Sequence, residues 1–162
     1  MAARSDATNP VPVARVRNSS SVTAVLAEAA LRVRHFHVAA GILRDASGRL
    51  LITERLCDGP FNGLWEFPGG KIAAGESPRD ALYRELAEEI GIEIRSSRPF
   101  MELLHEYHDR TVNLEFFLVT DWHGDPSGLE GQQIRWVALG ELDAGQLLPA
   151  DAPVIAALLA DA

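Results

Sequence analysis

Apolar residues alternate with polar or small ones from His35 to Leu43, a period of two that predicts a β-strand. Asp45-Ala-Ser-Gly48 is a turn sequence and Leu50–Glu54 a second strand, so the pair is expected to form a hairpin. After a loop at 57–63, Leu64-Trp-Glu-Phe67 predicts a short strand that Pro68-Gly69-Gly70 ends. The period then changes. Leu82, Leu86 and Ile90 recur at helical spacing, Ser77 suits an N-cap, Pro78 a first helical residue and Gly91 a stop, which predicts a helix over about 78–90. Two further strands are expected, one within Phe100–Tyr107 and one over Thr111–Val119, joined by a turn at 108–110. Residues 121–131 read as a loop, Ile134–Ala138 as a strand, and Val154–Leu159 as a helix whose entry is bracketed by Pro149 and Pro153. Strands interleaved with a central and a terminal helix predict an α/β fold with a mixed sheet between helices.

A length of 162 residues makes one domain the default, and 47% hydrophobic residues is enough for a core. Residues 1–21 are rich in Ser, Asn, Pro and Ala without an apolar period and read as disordered, and 22–33 as a short helix after a Ser cap. This gives an N-terminal extension at 1–33 and a folded domain at 34–162. The extension is Arg-rich and acid-poor, as transit peptides are, but a floppy extension is the simpler reading. No apolar run approaches the roughly 20 residues that span a bilayer, so no membrane partner is expected. Cys57 is the only cysteine, which excludes an intrachain disulfide and suits a reducing, cytoplasmic setting.

The net charge is −8, with +3 on residues 1–34 and therefore −11 on the remainder. That balance argues against binding long nucleic acid. It does not argue against a nucleotide, because a bound divalent cation inverts the local sign.

The candidate chemistry lies on the central helix. Glu85, Glu88 and Glu89 stand three and four residues apart, where like charges repel by roughly 0.2–0.5 kcal/mol per pair. Clustered carboxylates offer oxygen ligands to a hard cation such as Mg2+, which removes the repulsion. For the charges alone, a solvated amphipathic helix with Leu82, Leu86 and Ile90 inward is the preferred reading. With the flanking residues, Gly70, Glu76, Arg84, Glu85, Leu86, Glu88, Glu89, Gly91 and Ile92 form nine restricted positions over 23 residues. This segment resembles the signature of the Nudix hydrolases without departure. The similarity extends through VAAGILRD (38–45), LLITER (50–55), GLWEFPGGKI (63–72), EYHDR (106–110), LEGQ (129–132) and PADAPVI (149–155), most closely to the branch that hydrolyses 8-oxo-dGTP.

The resemblance implies an α/β/α sandwich with a curved mixed sheet. It also implies an enzyme acting on phosphorus-containing anhydrides, with Mg2+ (or Mn2+) as cofactor, a nucleoside triphosphate as substrate and a monomeric state. Position by position, it implies Glu85 and Glu89 as direct metal ligands, Glu88 as a further ligand or base, and the Gly70 carbonyl as a ligand. Glu130 corresponds to a mobile loop carboxylate that serves as ligand and catalytic group. Arg84 belongs to the catalytic set by orienting a carboxylate, and Glu76 is structural. Lys71 can reach phosphate, and Arg55, Phe67 and Arg110 correspond to base-contacting positions.

Asp151 is a departure. The 8-oxo-dGTP branch carries an amide there, which both donates and accepts, whereas an ionised Asp only accepts. A related subgroup acting on cytidine and modified pyrimidine nucleotides carries Asp in the same Pro-Ala-Asp context, and Asp151 could instead cap the last helix. The expected function is therefore hydrolysis of 8-oxo-dGTP to 8-oxo-dGMP and pyrophosphate, keeping mutagenic precursors out of DNA, with a pyrimidine nucleotide hydrolase as the alternative. A non-catalytic nucleotide-sensing module is a weaker reading, since the acidic signature is intact.

Overall fold

The computed structural model describes residues 34–162. The extension and short helix expected in 1–33 lie outside them. The described chain runs β1 (Arg34–Leu43), β2 (Leu50–Glu54), β3 (Trp65–Glu66), β4 (Gly69–Lys71), α1 (Pro78–Ile90), β5 (Glu93–Glu106), β6 (Arg110–His123), β7 (Ile134–Val137) and α2 (Ala152–Ala160). Short 3₁₀ turns at Leu139–Glu141 and Pro149–Asp151 precede α2.

A four-stranded mixed sheet has the order β4-β1-β6-β5, with β1 and β6 parallel at its centre and both edges antiparallel. Its two faces are covered separately. Ala39 and Leu43 of β1 pack with Leu82, Leu86 and Ile90 of α1, while Ala40 and Ile42 pack with Val154 and Leu158 of α2. Alternate residues of one strand thus feed two cores, which is why β1 is almost uninterruptedly apolar at its centre. Trp65 is buried in the α2-side core. Trp122 and Trp136 stack on each other, with ring centroids 6.4 Å apart, against the α1-side core.

Three expectations need correction. β1 and β2 do not form an extended hairpin. The turn at Asp45–Gly48 closes and Arg44 bridges Leu50, but β2 then leaves to pair with β3 and β7 in a second, three-stranded antiparallel sheet. Pro68-Gly69-Gly70 does not end strand structure either. The chain changes sheets there: the Pro68 carbonyl accepts from Gly41 N–H at 2.8 Å, and Gly69–Lys71 pairs with Val38–Ala40 as β4. Finally, β5 and β6 are each 14 residues long, well beyond the expected ranges. Register shifts at Ile94–Ser97 and around Pro99 break the alternation in β5, and a proline that cannot donate is accommodated at such an irregularity.

The central helix has the expected bounds. Ser77 Oγ accepts from Asp80 N–H at 3.1 Å, and Gly91 takes the left-handed conformation (φ 73°) that ends the helix. Gly41 lets α1 sit close on β1, since a Cβ there would meet Leu86 Cδ2 at 2.9 Å. Among the described residues no helix is long and apolar enough to cross a membrane.

Candidate active site

With Leu82, Leu86 and Ile90 committed to the core, Glu85 and Glu89 fall on the flank of α1 that faces β4 and β2. The Glu89 carboxylate is gripped from two strands. Thr53 Oγ1 donates to Oε1 at 3.0 Å, and Gly69 N–H donates to Oε2 at 2.9 Å. Burial raises its pKa to about 7, against the lowering effect of these two bonds, and the charges of Glu66 and Glu130 add to the rise. Glu85 lies directly against Gly70: a Cβ on Gly70 would overlap its carboxylate.

Arg84 organises this region from outside. Its Nε and one terminal nitrogen hold the two oxygens of Glu76 at 2.8 and 2.9 Å. Nη1 donates to Glu85 Oε1 at 2.8 Å, and Nη2, besides holding Glu76, donates to the Lys71 carbonyl at 3.0 Å. Glu76 also accepts from Ala73 N–H, and together the Arg84 fork and this bond lower its pKa to about 2. Arg84 lines neither cavity described below.

Two cavities adjoin across Arg55, Glu66 and Gly69. The first, about 320 Å³, is lined by Glu85, Glu89, Glu130 and Gln132. The second is about 350 Å³. It is walled by Phe36, Phe67, Tyr107, Arg110, Leu148 and Asp151. Every expected substrate-binding residue, namely Arg55, Phe67, Lys71, Arg110 and Asp151, lines this second cavity, as does Gly70. Phe67 is at once core and wall, edge-on to Phe116 at 6.2 Å between centroids. Lys71 Nζ lies over the Phe36 ring at 4.4 Å, and Arg110 over Tyr107 at 5.2 Å.

Of the expected metal ligands, Gly70 lines the second cavity and not the first, and Glu88 lines neither. The Glu88 side chain is 58% exposed against 21% for Glu85, and its contact is Arg84 at 3.4 Å. Among the described residues, no three His, Cys, Asp or Glu side chains already stand together as a ready-made metal cage. The first cavity nevertheless suits a hard divalent ion. Its donors are carboxylate oxygens, and the missing Cβ of Gly70 leaves a backbone surface against Glu85.

Asp151 does not cap α2, because its side chain makes no capping bond. Instead Oδ2 accepts from Phe67 N–H at 3.2 Å, in a pocket that leaves the residue 3% exposed. Burial, with the nearby Glu66 charge, raises its pKa to about 8, so the neutral acid prevails at pH 7.

The residues missed in the sequence are Thr53, Glu66 and Gln132. Glu66 pairs with Arg55 Nη1 at 2.9 and 3.2 Å and faces both cavities. An acid between Trp65 and Phe67, three residues before the paired glycines, was the available signal.

The NUDIX domain model matches residues 34–158. The chain is 46% identical over 122 residues to an 8-oxo-dGTP diphosphatase of Haemophilus influenzae, covering 75% of this chain and 90% of that protein. It is 39% identical over 123 residues to a CTP pyrophosphohydrolase of Escherichia coli, covering 76% and 90%. A solved structure from a study of MutT from Aliivibrio salmonicida and Vibrio cholerae superposes with a TM-score of 0.68 at 37% identity, covering 80% of this chain and 100% of that one. The acidic helix, the glycines packed beneath it and these matches together make the chain a member of the Nudix hydrolase family.

Proposed function

We propose that the chain is a Mg2+-dependent nucleoside triphosphate pyrophosphohydrolase that converts 8-oxo-dGTP to 8-oxo-dGMP and pyrophosphate, removing a mutagenic precursor of DNA synthesis. The observation that carries this reading is the pairing of a carboxylate-lined cavity with a base-sized one across Arg55, Glu66 and Gly69. The first suits a metal-bound phosphate chain and the second a flat, polar-edged ring.

Glu85 and Glu89, with the Gly70 carbonyl, would hold the metal, and Glu88 would turn in from the solvent side to complete the set. Such an ion would supply charge neutralisation at phosphate oxygens and a lowered pKa for water. Glu130 supplies a loop carboxylate, as a ligand and as acceptor of the water proton. From the wall of the second cavity, Lys71 would reach a phosphate and Arg110 the base. Arg55 is held by Glu66, while its Nε is buried without a partner among the described residues, a donor free for an incoming acceptor.

Asp151 supports oxidised guanine despite not being an amide. In its neutral form the carboxyl both donates and accepts, as the amide of the 8-oxo-dGTP branch does. The second reading, a pyrimidine nucleotide hydrolase, is favoured by the same Asp and by the CTP-hydrolysing relative. The lone cysteine suits a reducing cytoplasm, where the enzyme would act as a monomer.

Pyrophosphate release from 8-oxo-dGTP, dGTP, CTP and dCTP, each with Mg2+ and with Mn2+, tests this directly. A kcat/KM at least about tenfold higher for 8-oxo-dGTP than for the rest is expected, a gap of about 1.4 kcal/mol in transition-state binding. Preference for CTP or dCTP would select the alternative, and no release from any of them would refute the hydrolase reading.

A further inference from the structure

Gln132 is buried, 7% exposed, in the loop after β6, and its amide works in two directions. Nε2 donates to the Glu89 carbonyl at 2.9 Å, and Oε1 accepts from the Glu130 N–H at 2.8 Å. The same Glu89 carbonyl accepts from Leu129 N–H at 3.0 Å, and the Ile90 carbonyl accepts from Ser127 N–H at 3.0 Å. These carbonyls belong to the last turn of α1, where helices leave acceptors without intrahelical partners. The loop is thus the cap of the helix that carries Glu85 and Glu89.

Capping alone would require only the donor half of the amide, and Leu129 N–H already serves that carbonyl. The acceptor half turns back on Glu130, whose side chain faces Glu85 and Glu89 across the cavity. The loop has little slack. A Cβ on Gly128 would overlap the Gln132 carbonyl, and Gly131 takes the left-handed conformation at φ 85°.

We propose that Gln132 is a positioning residue for hydrolysis. By clasping the Glu130 N–H and the Glu89 carbonyl with one amide, it fixes the loop carboxylate relative to the helix carboxylates. This rests on the reading of Glu130 as a catalytic group. A side-chain amide is the neutral group that both donates and accepts at this reach.

The test is a double-mutant cycle of Q132M and E130Q in the full chain, with kcat and KM measured at saturating Mg2+ on the nucleotide the panel prefers, 8-oxo-dGTP or CTP. Q132M should lower kcat about 10–100-fold with little change in KM, as loss of an orienting partner does. The double variant should be no slower than E130Q alone. Amide exchange should quicken at Glu130 in Q132M while the β1 amides of Ala39–Leu43 keep their protection. Effects that multiply in the double variant, an unchanged kcat in Q132M, or unchanged exchange at Glu130 would each overturn the inference. Wild-type turnover in E130Q would instead refute the reading of Glu130 on which it rests. If Q132M does not fold, Q132L serves in its place, because it likewise removes both the acceptor for Glu130 N–H and the donor to Glu89, and the same outcomes apply.

Discussion

Gly70 and the carboxylate of Glu85 occupy adjoining space with no room for a side-chain carbon between them. The clash that a Cβ would cause is with the far end of a side chain, which can move. At Gly69 the clash would be with the Ala39 carbonyl of β1, which cannot. Gly70→Ala should therefore keep the fold and displace Glu85 from its bond to Arg84, lowering kcat by about 10²-fold, as a misplacement of about 1 Å can. Gly69→Ala should lose about 3 kcal/mol of stability through overpacking. Thermal melts and steady-state kinetics of the two neighbours separate these effects.

Asp151 should give the protein a pH dependence that its Asn variant lacks. Its pKa is raised from 3.8 to about 8 on folding, so the folded state holds a proton that the unfolded state releases first. The associated stability is complete below about pH 4 and is lost as pH rises toward 8. Denaturant titrations at pH 4.5, 6 and 8.5 should show Asp151→Asn gaining on the wild type with increasing pH. Wild-type kcat/KM on 8-oxo-dGTP should fall above pH 8, whereas that of Asp151→Asn should not.

Glu89 ties metal affinity to proton release. With a pKa of about 7 in the metal-free protein, it must ionise to bind a cation. Mg2+ should therefore raise the wild-type melting temperature more at pH 8 than at pH 6. Glu89→Gln should show little Mg2+ stabilisation at either pH and a kcat at least about 10²-fold lower, since a lost ligand costs no less than a lost orienting partner. Calorimetry in buffers of different ionisation enthalpy measures the released proton.

Arg84→Lys should fail as a conservative change. A single ammonium cannot hold both oxygens of Glu76 while also reaching Glu85 and the Lys71 carbonyl. A kcat loss of about 10²-fold is expected from misorientation. Glu76→Gln should reproduce much of it, and the two changes should not add. Because Glu76 titrates near 2 in the folded state, its stabilisation is present above pH 4.5 and is lost as pH falls toward 2. Glu76→Gln should flatten that limb of the acid-unfolding curve.

The parts legible in the sequence were those specified locally. Ser77, Pro78 and Gly91 mark the ends of α1 within the helix's own residues, and the bounds came out as read. Arg55, Phe67, Lys71, Arg110 and Asp151, expected by resemblance to meet substrate, line one cavity. Which sheet a strand joins is not a local property, and nothing in Leu50–Glu54 distinguishes a partner in β1 from one in β7. Glu88 was legible in principle. At about 100° per residue, Glu89 lies about 40° from Glu85 on the helix and Glu88 about 60° to the other side, which accounts for the greater exposure of Glu88. Glu66 and Gln132 gain their roles from groups distant in the chain, Gln132 from Glu89 43 residues away. Single-residue chemistry gives no sign of such pairings.

In the proposed function, the wall that would meet a base and the wall that would meet phosphates belong to different stretches of chain. Phe36, Tyr107, Leu148 and Asp151 touch only the former, while Glu85, Glu89 and Glu130 touch only the latter. New preferences can therefore be engineered by exchanging side chains around the ring-shaped space, leaving bond cleavage intact. Any such redesign should spare Arg55, Glu66 and Gly69, the hinge-posts common to both rooms.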